Sequence, residues 1–371
     1  MKRFESLDAV RGIGALIVVT GHLHIVGAFT ELHFFRTCYI IVELFFVLSG
    51  FVLAHTYAYR EVKFTPYISS RFFRIFPLHI LMLLIFILLE CCRLLIQKNY
   101  GIEFDTPPFT GRTALSEILP NLFLIQSWTP TTNFLSLTFN YPTWSLSVEF
   151  YTYIILYLTI IIFSKFNISP IVWLSISVIT LWLLVTGKHN ILQQAVTRGV
   201  SSFFAGAFTY SIFRVFSDIK ISVITATTLE IICIALLIFF VNSQYEAKQI
   251  ICTIIYCMTV FILAYQKGII SSIFLNKHMQ YLGKISYSIY MVHAAIILII
   301  TTTMFVIQKK TGIELTPFIE GRRNLTTGSL FFNNILALSI YFIVIFVATV
   351  IYNNVEERFM KYKITFSSNT R

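Results

Sequence analysis

Apolar residues fill most of this chain in long runs, separated by short polar connectors. About ten of these runs approach the roughly 20 mostly apolar residues that a bilayer-spanning helix needs. They lie near residues 9–28, 37–58, 75–97, 143–164, 169–187, 198–215, 222–242, 248–266, 284–307 and 329–352. Strict apolar–polar alternation over about ten residues, the pattern of a spanning β-strand, is missing. The pattern predicts an all-α integral membrane protein of about ten transmembrane helices. It also predicts one transmembrane domain over residues 1–371, with no fused soluble domain, low-complexity tract or internal repeat. Two connectors are long, 98–142 and 308–328. The 115–126 stretch of the first is apolar but too short to span, so it is expected to be re-entrant or interfacial. Long ordered connectors often cover a site; a solvated connector is the plainer alternative.

Composition agrees with the pattern. Of 371 residues, 57% are hydrophobic and 12% are charged, against about 25% charged in an ordinary soluble domain. The net charge is +11. Sorted by connector, 16 Lys and Arg fall on the side of the N-terminus and 10 on the other. That bias predicts both termini in the cytoplasm. Nucleic-acid binding is excluded as an expectation, because no basic face outside the membrane is long enough. The six cysteines fall in or beside apolar runs without CxxC or Cys/His spacing, so they read as core residues and no metal is expected. Lys2 and Arg3 precede the first run as in a signal peptide, but Asp8 and Arg11 interrupt it and no convincing cleavage site follows, so it is expected to stay.

Certain polar residues sit where lipid would make them expensive. In "LDAVRGIGALIVVTGHLH", Arg11 and His22 are eleven residues apart, close to three helical turns, so they share a face at a separation of about 16 Å. A cation at one end and a titratable base further up suit a long anionic ligand lying along the helix. The plainer reading is that Arg11 pairs with Asp8 and reaches out of the bilayer. His24 points elsewhere on the helical wheel. Glu43 in "YIIVELFFVLSGF" and Glu149 in "YPTWSLSVEF" are expected at the depth of His22, where either could orient the imidazole. Ser49 and Gly50 read as close helix packing. Arg71 and Arg74 in "SSRFFRIFP" are one turn apart and match phosphate oxygens, or else anchor the chain at the surface. Trp144 fits an interfacial aromatic belt. Ser286, Tyr290 and His293 in "GKISYSIYMVH" lie on one stripe as candidates to line the site, and His293 either lines the same cavity or closes a core hydrogen bond.

These residues carry a resemblance. The chain resembles the acyltransferase-3 family of integral membrane acyltransferases, in an LDxxRG opening with Arg11 followed by His22, an "FFxLSGF" helix at 45–51, Arg71 and Arg74 before Pro77, "WSLxxE" at Trp144 to Glu149, and "SYxxYxxH" at Ser286 to His293. One departure stands near the end, where "NVEERF" places Arg358 at the position of a family proline. The resemblance implies transfer of an acetyl or other acyl group from cytoplasmic coenzyme A to a sugar hydroxyl. The acceptor it implies is a cell-surface polysaccharide or its lipid-linked precursor, such as a lipopolysaccharide O-antigen, at a bacterial inner membrane. Arg11, Arg71 and Arg74 would hold the phosphates of acetyl-CoA, with Asp8 positioning Arg11. His22 would act as general base or transient acyl carrier, oriented by Glu43 or Glu149. The acceptor would enter under the 98–142 connector.

Three other readings are kept: a transporter of a polar solute or glycan, an acyltransferase acting on a non-glycan acceptor, and a structural or partner-binding membrane protein. Transporters of this size commonly show inverted repeats and broken helices, and the chain shows neither clearly. A purely structural protein would not need a layer of titratable groups.

Overall fold

The structure, a computed structural model, describes residues 3–129, 137–188, 192–245 and 248–361. Lys2, Lys363 and Arg371, which enter the charge sorting, lie outside the described residues, as do 130–136 of the first long connector. The described residues are helical almost throughout. The principal helices are α1 (Glu5–His22), α2 (Val42–Tyr57), α3 (Phe64–Tyr100), α4 (Trp144–Phe163), α5 (Ser169–Val185), α6 (Gln194–Phe216), α7 (Val223–Val241), α8 (Lys248–Leu263), α9 (Lys277–Lys284), α10 (Ser286–Thr311) and α11 (Leu330–Ile351).

Among the described residues, six helical segments are long and apolar enough to cross a membrane: Tyr39–Tyr57, Phe64–Tyr100, Tyr141–Phe166, Val223–Val241, Ser286–Thr311 and Leu330–Lys361. Ser169–Val185 and Lys248–Leu263 are apolar but shorter. The other two expected runs form α1 and α6. Both carry polar groups that lower their apolar content: Glu5, Asp8 and Arg11 on α1, and Thr197, Arg198 and a series of serines on α6. These two helices also hold or support the site, so the loss of apolar character and the presence of chemistry have one cause.

The third run starts earlier than expected. "SSRFFRIFP" is not a connector; it is the first part of the 37-residue α3, with Pro77 inside the helix. Proline is tolerated in membrane helices because neighbours satisfy the freed carbonyl. The helix ends at Gly101, whose φ of 65° is left-handed, the backbone that glycine adopts without a Cβ penalty. At the far end of the chain, Arg358 in place of a proline leaves the backbone free to continue. The chain passes through one π-turn, Tyr352–Glu356, and stays helical to Lys361.

Helices approach most closely at glycines. A methyl group on Gly50 of α2 would overlap the Phe203 carbonyl of α6, and one on Gly206 of α6 would overlap the Val47 carbonyl of α2. Gly283 of α9 stands in the same way against the Asp8 carbonyl of α1. In lipid, association rests on such close packing rather than on hydrophobic exclusion. Gly50→Ala and Gly206→Ala are therefore each expected to destabilise by about 1–3 kcal/mol through overpacking, read as a lower thermal midpoint of the purified protein in detergent.

Both long connectors are folded. Part of the first, including a short helix at Ile118–Leu122, packs back on α4, burying Asn121, Gln126 and Ser127. The Ser127 hydroxyl donates to the Trp144 carbonyl at 3.0 Å, and Ser147 of α4 donates to the Leu124 carbonyl at 2.6 Å. These bonds fit an ordered cover and not a solvated connector. The second connector forms a small hairpin, β1 (Phe318–Ile319) paired with β2 (Arg322–Arg323), and Ile25 just beyond α1 bridges to Leu325.

Candidate functional site

The polar residues of α1, α2, α3, α4 and α10 converge on a narrow cavity of about 80 Å³. Arg11, Ser49, Arg74, Glu149, Tyr153, Ser286 and Tyr290 line it. Arg11 is half held by Asp8, with Nη1 donating to Oδ1 at 3.5 Å, while Asp8 Oδ2 accepts from Arg3 at 2.9 Å. Arg74 lines the cavity and forms no ion pair among the described residues. Glu149 Oε1 accepts the hydroxyls of Ser49 at 2.6 Å and Tyr153 at 2.5 Å. Ser49, expected only to permit close packing, is thus a hydrogen-bond donor to the carboxylate. Arg71 lies beside the cavity. Its guanidinium sits over the rings of Tyr57 and Tyr153 at 5.9 and 5.8 Å and donates to the Ser70 hydroxyl. Glu356, just past α11, is buried and accepts the Ser288 hydroxyl of α10 at 2.7 Å, which fixes α10 at its start.

At the other end of α1 stands a histidine pair. His22 Nδ1 and His293 Nε2 are 3.1 Å apart, with the rings stacked at 5.2 Å and 20°. One nitrogen of such a pair must be the donor and the other the acceptor, so the contact couples the tautomers of the two rings. When His22 donates through Nδ1, its Nε2 carries a free lone pair. Tyr141 packs edge-on against His22 at 4.8 Å, and the Tyr290 ring lies 5.9 Å from His293. Tyr290 is itself fixed by hydrogen bonds to Ser145 and to the Pro142 carbonyl, each 2.8 Å.

The expected carboxylate partner of His22 is not there. Glu43 accepts from Arg198 Nε at 2.7 Å, and both side chains are only 3% exposed. Glu149 turns into the narrow cavity, where its bonds go to Ser49 and Tyr153. The two carboxylates do not share a level either, because Glu149 meets Ser49, six residues along α2 from Glu43. A carboxylate in apolar surroundings takes a guanidinium when one is in reach. Sequence reasoning missed Arg198 because it stands at the edge of an apolar run and was sorted with the connector cations. Trp144, expected at the interface, is buried instead, with Arg198 stacked on its ring at 5.0 Å.

Beyond the histidine pair a second, larger cavity of about 590 Å³ opens. Its wall includes Glu90, Arg93, Asp105, Arg112, Tyr141, Arg322 and Arg323. Tyr141 therefore touches both this cavity and His22. Arg93 is tied to buried Glu90 at 2.6 Å, and Arg323 forms a double contact with Asp105 at 2.6 and 2.7 Å. The hydrogen bond from Arg323 holds the Asp105 carboxyl below its usual range. His24 does face elsewhere, as its position on the wheel predicts: it meets Arg322 at 2.9 Å and Arg36 at 3.4 Å. Burial, then the charges of Arg36 and Arg322, push its imidazole down to about 3, so it is neutral at ordinary pH. Among the described residues no three His, Cys, Asp or Glu side chains are grouped to hold a metal ion.

Comparison with known proteins gives one consistent result. The family described as "Acyltransferase domain" matches residues 4–353. An acyltransferase of Streptomyces mycarofaciens is 32% identical over 159 residues, covering 41% of this chain and 38% of that protein. A protein of the picA locus of Rhizobium radiobacter is 34% identical over 156 residues, covering 40% of this chain and 78% of that protein. A protein of Staphylococcus aureus strain COL, provisionally named an O-acetyltransferase, is 24% identical over 336 residues, covering 80% of this chain and 51% of that protein. The chain thus spans well under two thirds of the first and third of these relatives. No solved structure gives a significant match. With a family match that runs from α1 to the π-turn after α11, the chain belongs to the acyltransferase-3 family.

Proposed function

We propose that this chain is a membrane-embedded O-acyltransferase. It moves an acetyl group from acetyl-CoA to a hydroxyl of a cell-surface glycan or its lipid-linked precursor, of which a lipopolysaccharide O-antigen is an example. One observation carries the reading: Tyr290, which lines a narrow cavity carrying two arginines, and Tyr141, which lines a separate, larger cavity, both pack against the His22–His293 pair. A shuttle between two substrates that enter from different sides needs such a link to both cavities. The proposed setting is a bacterial inner membrane with both termini in the cytoplasm.

In this scheme Arg11 and Arg74 meet the phosphates of the donor, with Arg71 behind them, since guanidinium groups pair well with phosphate oxygens. Arg74 is the strongest candidate because its charge is not already taken by a carboxylate. His22 Nε2 takes the proton of the acceptor hydroxyl as that oxygen bonds to the acyl carbon. The carbon–sulfur bond breaks, and the leaving thiolate recovers the proton from His22. His293 holds the His22 tautomer. Glu149 orders the hydroxyls of Ser49 and Tyr153 along the donor path rather than touching the imidazole.

The test is transfer of label from acetyl-CoA to a membrane glycan fraction. Arg74→Gln is expected to raise the donor KM by about ten-fold with kcat little changed, the size of one lost charge-assisted hydrogen bond. Absence of transfer by folded wild-type protein, with donor still bound, would point to a different acceptor. Loss of donor binding as well would favour the transporter reading.

A further inference from the structure

The larger cavity holds more positive charge than its own walls use. Glu90 and Arg93 neutralise each other, and Glu90 Oε2 also accepts the Phe109 amide and the Thr113 hydroxyl, each at 3.1 Å. Asp105 and Arg323 neutralise each other in the double contact already described. The first pair fastens Thr106, Phe109 and Thr113 to α3, and the second fastens the same connector to the hairpin. Two further arginines line the same cavity, Arg112 and Arg322, and neither has a carboxylate partner among the described residues. Both are exposed. Among the described residues the side chain that Arg322 meets is His24, which is neutral and leaves its charge in place. The carboxylates of the adjoining cavity do not cancel it either. Glu31 is taken by Arg36 at 2.5 Å, and Glu320 forms no ion pair with Arg322.

The position of this charge matters as much as its size. The Arg112 guanidinium lies over the Tyr141 ring at 5.7 Å, and the same ring packs edge-on against His22 at 4.8 Å. One aromatic ring therefore touches both His22 and a guanidinium that has no carboxylate partner among the described residues. An anionic group held at Arg112 would bring a hydroxyl of the same molecule towards His22.

We propose that the larger cavity is an acceptor site that selects a molecule bearing an anionic oxygen group, a carboxylate or a phosphate, close to the hydroxyl to be acylated. Arg112 and Arg322 are the selecting residues. This inference rests on the acyl-transfer reading for the fate of the bound molecule, but not for the binding itself. A neutral sugar would leave two guanidinium charges unmatched, whereas a carboxylate or phosphate matches their planar fork of donors.

The experiment compares methyl glucuronide and glucose 1-phosphate with neutral methyl glucoside, by equilibrium binding to the full chain in detergent and by acetyl transfer. Inorganic phosphate serves as competitor, to separate recognition of a free anion from recognition of the sugar that carries it. At least one charged probe is expected to bind ten-fold or more tightly than the neutral one. Arg112→Gln and Arg322→Gln should each remove most of that gap without changing the donor KM, and Arg112→Lys should restore part of it in a folded protein. Equal binding of charged and neutral probes overturns the proposal, as does failure of both charged probes to bind. Arginine-dependent binding without any acetyl transfer would leave the anion site standing and remove the acyl-transfer reading, so the two failures are distinct.

Discussion

Replacing His22 with alanine is expected to lower kcat by about 10²- to 10⁴-fold, the usual contribution of a positioned general base, while the donor KM moves little. In the proposed scheme the donor charges are met at the far end of α1, about 16 Å away by helical rise, and His22→Ala does not touch Arg11 or Arg74. His293→Gln should fall between wild type and His22→Ala. It keeps a polar neighbour at 3.1 Å from His22 Nδ1 but no longer dictates which nitrogen of His22 holds the proton. The measurement is steady-state transfer of labelled acetyl at saturating donor, with thermal midpoints alongside to show that each variant is folded. A second reading of the same proteins separates base from acyl carrier. Wild type incubated with labelled acetyl-CoA and no acceptor retains label on the chain only if His22 accepts the acyl group itself. Activity of His22→Ala within ten-fold of wild type would remove His22 from the chemistry.

Much of the first cavity was legible in the sequence because helical periodicity is a strong constraint. Arg11 and His22 share a face at any plausible rotation of α1, and Arg71 and Arg74 are one turn apart wherever α3 begins. The expected common depth of Glu43 and Glu149 was not met, since Glu149 bonds to Ser49, six residues along α2 from Glu43. Nor was the direction of each carboxylate legible, because it depends on the rotation of three helices about their own axes. That rotation is set by glycine contacts such as Gly50 against Phe203, which only the packed structure shows. Arg198 was hidden by position: a cation at the edge of an apolar run is read as a surface residue, yet α6 is buried along most of its length. Of the larger cavity the sequence showed only the two long connectors that help wall it, not the residues that meet there. Its walls come from the end of α3, two folded connectors and the middle of α10, segments far apart in the chain whose meeting depends on long-range pairing such as Arg323 with Asp105. The family, by contrast, was readable from short motifs in order, since each motif preserves one piece of local chemistry.

Breaking the Glu43–Arg198 pair is expected to cost about 3–5 kcal/mol, because removing one partner leaves the other charge buried and uncompensated. Arg198 offers the sharper case. It is 3% exposed, donates to Glu43 at 2.7 Å and to the Tyr39 carbonyl at 3.3 Å, and is sandwiched by the rings of Tyr39 and Trp144. Glu43→Ala therefore strands a guanidinium between two aromatic rings, and Arg198→Ala strands a carboxylate whose other oxygen, Oε2, already lacks a partner. Both single variants should melt well below wild type in detergent and fall in yield. The double variant Glu43→Gln with Arg198→Met should recover much of the loss, since a buried ion pair replaced by neutral side chains of similar volume is often tolerated. This pattern also decides between two roles for Glu43. A carboxylate that orients His22 would leave the double variant stable but inactive. A carboxylate that holds α2 against α6 would leave it both folded and active, with kcat close to wild type. The 2.7 Å contact with Arg198 supports the second outcome, and with it a division of labour in which Glu149 faces the narrow cavity while Glu43 keeps the helices around it in register.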